Sequence, residues 1–229
     1  MESSPEHDCV YLPRRRAITR AFRIDELPPS LYHDFMDAGF RRSGRVIYQP
    51  ICSGCRACLP IRVSVAHFTP DKSQRRCARR NADLRVQIGP PVPTQEKYEL
   101  YRRYLHGRHG DDMGDDPESF ESFLYESPVR TLECCYREAG GRLLAVGICD
   151  VCQRSLSTVY FYFEPSESRR GLGTFGSLYE IGLARQMGIE WYYLGFWVRG
   201  CASMEYKASF RPNQVLHPDG VWREKGQGE

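Results

Sequence analysis

The pattern of hydrophobic and polar positions is most regular in the C-terminal half of the chain. The run Leu156–Phe163 combines β-branched and aromatic residues, which is typical of a buried strand. A second aromatic run, Trp191–Val198, has the same character. Between them, Gly171–Gly176 reads Gly-Leu-Gly-Thr-Phe-Gly, and Gly188 stands where a helix commonly ends. The pattern predicts a strand, a glycine turn, a helix over about Gly173–Met187 and a second strand.

The same periodicities place the remaining elements along the chain. Strands are predicted at Arg45–Tyr48, Ile61–Val65, Leu84–Ile88 and Leu143–Val151, the last forming a hairpin with Leu156–Phe163. Helices are predicted from a Ser30 cap, over Ser73–Asn81, from a Thr94 cap to Gly107 and from an Asp116 cap. The fold class is therefore α+β or α/β. We divide the chain into an N-terminal domain (1–66), a main domain (67–216) and a tail (217–229).

The amino-acid composition limits which classes of protein the chain can belong to. The chain has 229 residues, of which 41% are hydrophobic and 27% charged. No apolar run approaches the ~20 residues of a membrane span, and the polar, acidic start is no signal peptide. Ten cysteines without an export signal favour reduced thiols. We therefore expect a globular cytoplasmic protein that does not enter a membrane.

Charge is unevenly distributed along the chain. Residues 62–108 hold eleven Lys or Arg against four acids, whereas residues 111–126 hold seven acids and no base. Within the basic stretch, four arginines fall on one face of the predicted helix, namely Arg75, Arg76, Arg79 and Arg80. Arginine pairs well with phosphate, so this face predicts binding to a nucleic acid. A solvated helix face is the alternative.

The turn at Gly171 is a candidate anion site, because it brings free backbone N–H groups and a helix N-terminus beside a strand end. It is similar to the Arg/Gln-x-x-Gly-x-Gly/Ala turn of acyl-CoA N-acyltransferases, the GNAT fold. Ser168 stands where that pattern has Arg or Gln, a departure that argues against ordinary CoA binding. A helix that merely starts tightly on a sheet is the alternative.

A longer segment resembles one family. Residues 194–212 read Leu-Gly-Phe-Trp-Val-Arg-Gly-Cys-Ala-Ser-Met-Glu-Tyr-Lys-Ala-Ser-Phe-Arg-Pro, with Arg-Gly-Leu-Gly-Thr upstream at 170–174. Together they resemble the bacterial leucyltransferases that act on N-terminal Asp and Glu, short relatives of arginyl-tRNA–protein transferases. The resemblance extends from Cys9 to Pro212. It implies a GNAT-like core with a small cysteine-containing N-terminal domain, aminoacyl-tRNA and acidic N-termini as partners, and a place in the N-degron pathway.

Cysteines form the other motif. Cys52, Cys55 and Cys58 have C-x2-C-x2-C spacing, which suits zinc or an iron–sulfur cluster, and we choose Cys9 as the fourth ligand. The resemblance supports that choice, because the family carries Cys-Tyr-Leu-Pro followed by Tyr-x-Pro-x-Cys-x-x-Cys. Empty, reduced thiols are the alternative. The reaction itself requires no cofactor.

The resemblance also directs the assignment of site residues. We expect substrate binding by the turn and its flanks, that is by Arg170, Gly171, Leu172, Gly173, Thr174, Arg199 and Lys207. Tyr206 and Lys207 are the candidate catalytic residues. Tyr206 would donate to the departing ribose oxygen, and Lys207, ahead of Arg199, would pair with the acidic acceptor side chain. A surface pair on a helix is the alternative for Tyr206 and Lys207.

Other functions fit parts of the sequence. An arginyl-tRNA–protein transferase would share every motif, because the residues do not specify the transferred amino acid. A CoA-dependent N-acetyltransferase would use the Gly171 turn but would not need the basic helix. A cysteine-cluster RNA-binding module would leave the C-terminal half without a purpose.

Overall fold

The computed structural model describes residues 1–108 and 114–225, in 14 strands and six α-helices. The strands are β1 (Glu2–Ser3), β2 (His7–Asp8), β3 (Arg16–Ala17), β4 (Thr19–Arg23), β5 (Arg41–Ser43), β6 (Val46–Pro50), β7 (Cys58–Ser64), β8 (Arg85–Gly89), β9 (Thr131–Arg137), β10 (Leu143–Val151), β11 (Ser155–Phe163), β12 (Trp191–Val198), β13 (Asn213–Leu216) and β14 (Trp222–Glu224). The helices are α1 (Pro29–Asp37), α2 (Lys72–Arg80), α3 (Gln95–Arg108), α4 (Pro117–Leu124), α5 (Leu172–Gln186) and α6 (Ala202–Glu205). Two 3-10 turns cover Pro165–Arg170 and Tyr206–Ser209.

One large sheet organises the molecule. Its eight strands lie in the order β14-β13-β7-β12-β11-β10-β9-β8, and every pair is antiparallel except β11 with β12. Helix α5 packs on one face of this sheet, with Ile181 and Ala184 against Tyr192 and Leu194. The predicted strand, glycine turn, helix and strand are all confirmed, as is the hairpin of β10 and β11. A mixed α/β fold with a GNAT-like core is therefore confirmed.

The start of each helix reflects its local sequence. Asp71 caps α2 through a capping box with Gln74, and Asp116 caps α4 ahead of Pro117. Ser30 is not the cap that the sequence predicts for α1. That helix begins one residue earlier, at Pro29, because a proline suits the first turn, where its missing N–H has no partner to lose.

The predicted N-terminal domain contributes a strand to the main sheet. Residues of 1–66 form a four-stranded sheet, β1-β4-β6-β5, but β7 lies between β12 and β13 in the large sheet. The two predicted domains therefore share one hydrogen-bonded layer.

The predicted tail is also folded in part. Strand β14 pairs with β13, and Trp222 donates from its indole N–H to the carbonyl of Asp37, 3.1 Å away. Residues 226–229 of that tail lie outside the described residues, as do Asp111, Asp112 and Met113 of the acidic stretch. No helix within the described ranges is long and apolar enough to span a membrane.

Candidate active site

The two parallel strands separate soon after they meet. Their pairing covers three positions, from Ser155 with Trp191 to Ser157 with Tyr193. Beyond these positions the strands open into a gap, which we call the wedge. Gly195 lies on the β12 side of the wedge with a φ of 87°, a left-handed conformation that favours glycine. The wedge exposes backbone groups that a continuous sheet would pair.

Lys207 reaches into the wedge from the 3-10 turn that follows α6. Its ammonium donates to the carbonyl oxygen of Phe196 at 3.0 Å, and Nζ lies 3.5 Å from the point where a Cβ on Gly195 would stand. Burial lowers the pKa of Lys207 to about 7, and the nearby Arg41 guanidinium lowers it further, against a smaller opposing effect of Cys201. A large fraction of the amine is therefore neutral near pH 7. The structure places this predicted residue at the wedge.

Arg41 also reaches the wedge, although the sequence pattern did not predict it as a site residue. Its Nη2 donates to the carbonyl oxygen of Thr158 at 2.7 Å, in the segment of β11 that β12 no longer pairs. The side chain is buried, with 6% exposure. The sequence did hold a signal for Arg41, which stands next to Arg42 in a short strand. Neighbouring residues of a strand point to opposite faces, so the two side chains point apart. Arg42 accordingly forms a buried ion pair with Asp150.

Tyr206 lies at the outer edge of the site. Its side chain is 42% exposed. The rest of the ring is enclosed, and this partial burial raises the pKa of Tyr206 to about 12, with smaller contributions from Tyr104 and Glu180. The phenol therefore stays protonated at neutral pH and can donate a hydrogen bond.

Glu180 is a second residue that the sequence analysis missed. It projects from α5 beneath the sheet, where Tyr192 donates its hydroxyl to Oε2 at 2.5 Å. Burial raises the pKa of Glu180 to about 7, opposed by hydrogen bonds with Tyr192, Thr158 and Cys149. The sequence did hold a signal for Glu180, because it stands on the apolar face of a helix. A glutamate in such a place is rarely buried without a specific partner.

The predicted glycine turn forms the N-terminus of α5. Gly171 has a φ of 68°, and Leu172 is buried. Arg170 donates to both carboxylate oxygens of Asp83, at 2.9 and 3.0 Å, and also pairs with Glu167. These contacts hold Arg170 in the loop rather than directing it to a ligand. Substrate binding by the turn, including Gly173 and Thr174, stays a prediction.

Arg199 is not brought into the wedge. Its side chain is exposed and lies over the ring of Trp197, 5.7 Å from the ring centroid. Of the two cations predicted to face the acceptor, the structure therefore places only Lys207 beside the gap between β11 and β12.

The four arginines of α2 are exposed, as the sequence predicts. None of them lies within ion-pair distance of a carboxylate in the described part of the chain. The opposite face of α2 contacts the site. Gln74 donates to the carbonyl oxygen of Ser209 at 3.2 Å, in the turn that carries Lys207, and the Cys77 thiol reaches the carbonyl of Gly171 at 3.4 Å.

The four predicted metal ligands lie in one neighbourhood. Burial raises the pKa of Cys58 to about 12, and Cys9, Cys52, Cys55 and Cys201 raise it further. Cys9 therefore lies near the segment that carries Cys52, Cys55 and Cys58. Nevertheless, no three His, Cys, Asp or Glu side chains among residues 1–108 and 114–225 are arranged to hold a metal ion. A zinc or iron–sulfur site stays a prediction, which the metal content of protein purified without oxygen would test.

Two family models and several named relatives match most of the chain. A family model described as "Arginine-tRNA-protein transferase, C terminus" matches residues 96–217, and its N-terminal counterpart matches residues 7–76. An aspartate/glutamate leucyltransferase of Pseudomonas putida is 41% identical over 218 residues, which span 92% of this chain and 90% of that protein. The enzyme of the same name from Pseudomonas fluorescens is 41% identical over 215 residues, with the same coverage.

A solved structure shares the fold at low sequence identity. A conserved protein of unknown function from Bacteroides thetaiotaomicron aligns with a TM-score of 0.50 and 11% identity. The alignment covers 69% of this chain and 57% of that one.

Proposed function

The chain belongs to the arginine-tRNA-protein transferase family, and on that premise we propose that it transfers leucine from leucyl-tRNA to the N-terminal Asp or Glu of proteins. The amino acid and the acceptor follow from the name of relatives that are 41% identical over 92% of the chain. The observation that carries the proposal is the position of Lys207, whose amine donates to the Phe196 carbonyl where β12 no longer pairs with β11.

The enzyme has to align the acceptor amine with the ester more than it has to activate the ester, since the ester of an aminoacyl-tRNA is already reactive. The acceptor's N-terminal nitrogen attacks the ester carbonyl, and the bond to the ribose oxygen breaks as the new amide forms. Holding the two groups in register in the wedge can lower the barrier by about 7–11 kcal/mol. Backbone N–H groups along the open strand edges stabilise the oxyanion that forms in between.

Lys207 accepts the proton that the attacking amine must lose. An N-terminal ammonium must lose a proton before it attacks, and a neutral lysine amine with a pKa of about 7 is well matched to accept it. Tyr206, protonated at neutral pH, donates a proton to the departing ribose oxygen. As the amide forms, the nitrogen loses a second proton, which restores the Tyr206 hydroxyl, and Lys207 releases its proton to solvent.

The exposed face of α2 binds the tRNA. Arg75 and Arg80 donate to the backbone carbonyls of Pro70 and Arg169, and none of the four arginines has a carboxylate partner among the described residues. Their charges are therefore not paired with an acid in that part of the chain and can attract phosphates. Because Gln74 and Cys77 on the same helix contact the Ser209 and Gly171 segments, a tRNA bound to α2 lies next to the wedge. The 3′ end can then enter the gap between β11 and β12.

A transfer assay tests the proposed function. Purified protein is mixed with radiolabelled leucyl-tRNA or arginyl-tRNA and with peptides that differ only in a first residue of Asp, Glu, Asn or Gln. We expect label from leucyl-tRNA on the Asp and Glu peptides. Transfer from arginyl-tRNA alone would change the donor assignment. Acetylation from acetyl-CoA without aminoacyl transfer would contradict the proposal.

A further inference from the structure

Arg41 is a buried cation without an anionic partner. Its guanidinium contacts the Thr158 carbonyl oxygen at 2.7 Å and the Met36 sulfur at 3.8 Å. No carboxylate among the described residues lies within ion-pair distance of it. Arg42, the next residue, shows the usual arrangement, with two hydrogen bonds to the Asp150 carboxylate at 2.8 and 2.7 Å. Burying an unpaired charge is unfavourable, so its retention here points to a ligand.

A second cation faces the same space. Lys207 Nζ lies 3.5 Å from the point where a Cβ on Gly195 would stand, and Arg41 Nη2 and Nε lie 3.8 and 3.9 Å from it. Like Arg41, Lys207 has no carboxylate partner in the described part of the chain. Burial and the positive charge of Arg41 favour the neutral amine of Lys207 in the protein alone. An anion bound beside Arg41 would offset that charge and stabilise Lys207 after it accepts a proton.

The shape of the site suits a carboxylate. The Nε–Nη2 edge of Arg41 faces Gly195, and this edge of a guanidinium can donate two parallel hydrogen bonds to one carboxylate. Because Gly195 has no side chain, the point where its Cβ would stand is unoccupied and lies in van der Waals contact with both side chains. A phosphodiester carries a sugar on each side and fits poorly against a guanidinium that is only 6% exposed. The exposed arginines of α2 are better placed for phosphates.

We propose that Arg41 binds the side-chain carboxylate of the acceptor's N-terminal Asp or Glu, with Lys207 beside it, and so determines the acceptor specificity. This inference rests on the proposed function, since it assigns the acceptor subsite of the same wedge. Arg41 then binds the side-chain carboxylate, while Lys207 receives the proton of the neighbouring ammonium. Because Arg41 and Lys207 both lie within 4 Å of the same point beside Gly195, one acceptor residue can meet both.

The test compares acceptor selectivity in Arg41→Met and Arg41→Lys. The ratio of kcat/KM for an Asp peptide to that for the matching Asn peptide is measured with leucyl-tRNA as donor. We expect Arg41→Met to lower the ratio about ten- to a hundredfold with little loss on the Asn peptide. Arg41→Lys keeps the charge but loses the two parallel hydrogen bonds, so a several-fold lower ratio is expected.

Arg20→Met serves as the matched control. Arg20 lies on β4, which β6 separates from the strand of Arg41, and it donates to Gln49 at 2.9 Å, so its loss removes a similar side chain outside the wedge. The control should keep the wild-type ratio. Binding of leucyl-tRNA is measured for every variant and should not change.

The outcomes separate the two proposals. A wild-type ratio in Arg41→Lys and in folded Arg41→Met would overturn the carboxylate assignment, as would an equal loss on Asp and Asn peptides or weaker tRNA binding. If Arg41→Met does not fold, the Arg41→Lys ratio decides. Failure of the wild-type protein to transfer leucine to any peptide would instead overturn the proposed function.

Discussion

At the scale of single residues, burial shifts the pKa values of two side chains, one beside the wedge and one beneath the sheet. Lys207 and Glu180 both have a pKa of about 7, and burial is the main cause of each shift. Lys207 is beside the open space, where a shifted amine can take part in the reaction. Glu180 is enclosed beneath the sheet, against Tyr192, where its effect is on stability.

Lys207→Met should abolish most leucyl transfer to every acceptor peptide and leave leucyl-tRNA binding intact. In the wild type, single-turnover transfer should rise as the pH passes about 7, because the neutral amine accepts the proton. Single-turnover rates and tRNA binding between pH 6 and 9 provide the measurement. A flat wild-type profile, or full activity of the variant, would contradict the role of Lys207.

The same substitution should not lower stability at neutral pH. Because the pKa of Lys207 is lower in the folded than in the unfolded protein, the unfolded chain binds more protons between about pH 7 and 10.5. Wild-type stability therefore gains from this group as the pH rises through that window. Lys207→Met should lose this contribution, and unfolding measured at pH 7 and 9 shows whether it does.

Glu180→Gln should flatten the pH dependence of stability at lower pH. The pKa of Glu180 is raised by folding from 4.5 to about 7, so the native protein binds more protons than the unfolded chain in that window. Wild-type stability should fall from pH 4.5 to 7, by roughly 3 kcal/mol at most from this group. Urea unfolding of both proteins at several pH values is the measurement. An identical pH dependence in the two would show that the carboxyl is not responsible.

At the scale of elements, α2 connects the proposed tRNA-binding face to the site. Its outer face carries the four exposed arginines. Its inner face contacts the Tyr206–Ser209 turn through Gln74 and the start of α5 through Cys77. The capping box of Asp71 and Gln74 defines where the helix starts, and therefore which side chains face outward. One short helix can thus position the tRNA relative to Lys207.

Replacing Arg76 and Arg79 together with Ala should weaken tRNA binding and its dependence on salt. Each phosphate contact releases about one counterion, so the slope of log K against log salt should fall by about 1.5–2. Arg15→Ala with Arg23→Ala removes the same charge elsewhere in the chain and serves as the control. A slope equal to that of the wild type would place the tRNA on another surface.

At the scale of the whole molecule, the N-terminal and C-terminal halves form one structure. Strand β7 lies between β12 and β13, and the buried Arg42–Asp150 pair joins β5 to β10. Thr131 also donates to the Asp150 carboxylate at 2.8 Å, so the charge is well satisfied. The same contacts hold β5, and with it Arg41, against the wedge. The acceptor subsite therefore depends on the association of the two halves.

Asp150→Ala should lower the free energy of unfolding by about 3–5 kcal/mol, because it leaves the Arg42 guanidinium buried and unpaired. Asp219→Ala, which removes a surface partner of Arg223, should have little effect. Denaturant unfolding followed by far-UV circular dichroism and by tryptophan fluorescence gives the measurement, and the two transitions should coincide. Separate transitions would show that the halves fold independently.

The sequence by itself determined the elements around the wedge, because their signals are local. The aromatic runs became β11 and β12, and Gly171 and Gly188 bounded α5. The exposed arginine face of α2 also followed from spacing alone, since a helix repeats every 3.6 residues. Resemblance to one family then pointed to Lys207.

Only the tertiary structure decided which residues meet in the wedge. Arg41 contacts Thr158 across 117 positions of the chain, and Gln74 contacts Ser209 across 135. No periodicity carries such information, because these contacts depend on where β12 stops pairing with β11 and on the insertion of β7 beside β12. The burial that shifts Lys207 and Glu180 toward a pKa of 7 arises only once those strands and helices have packed together.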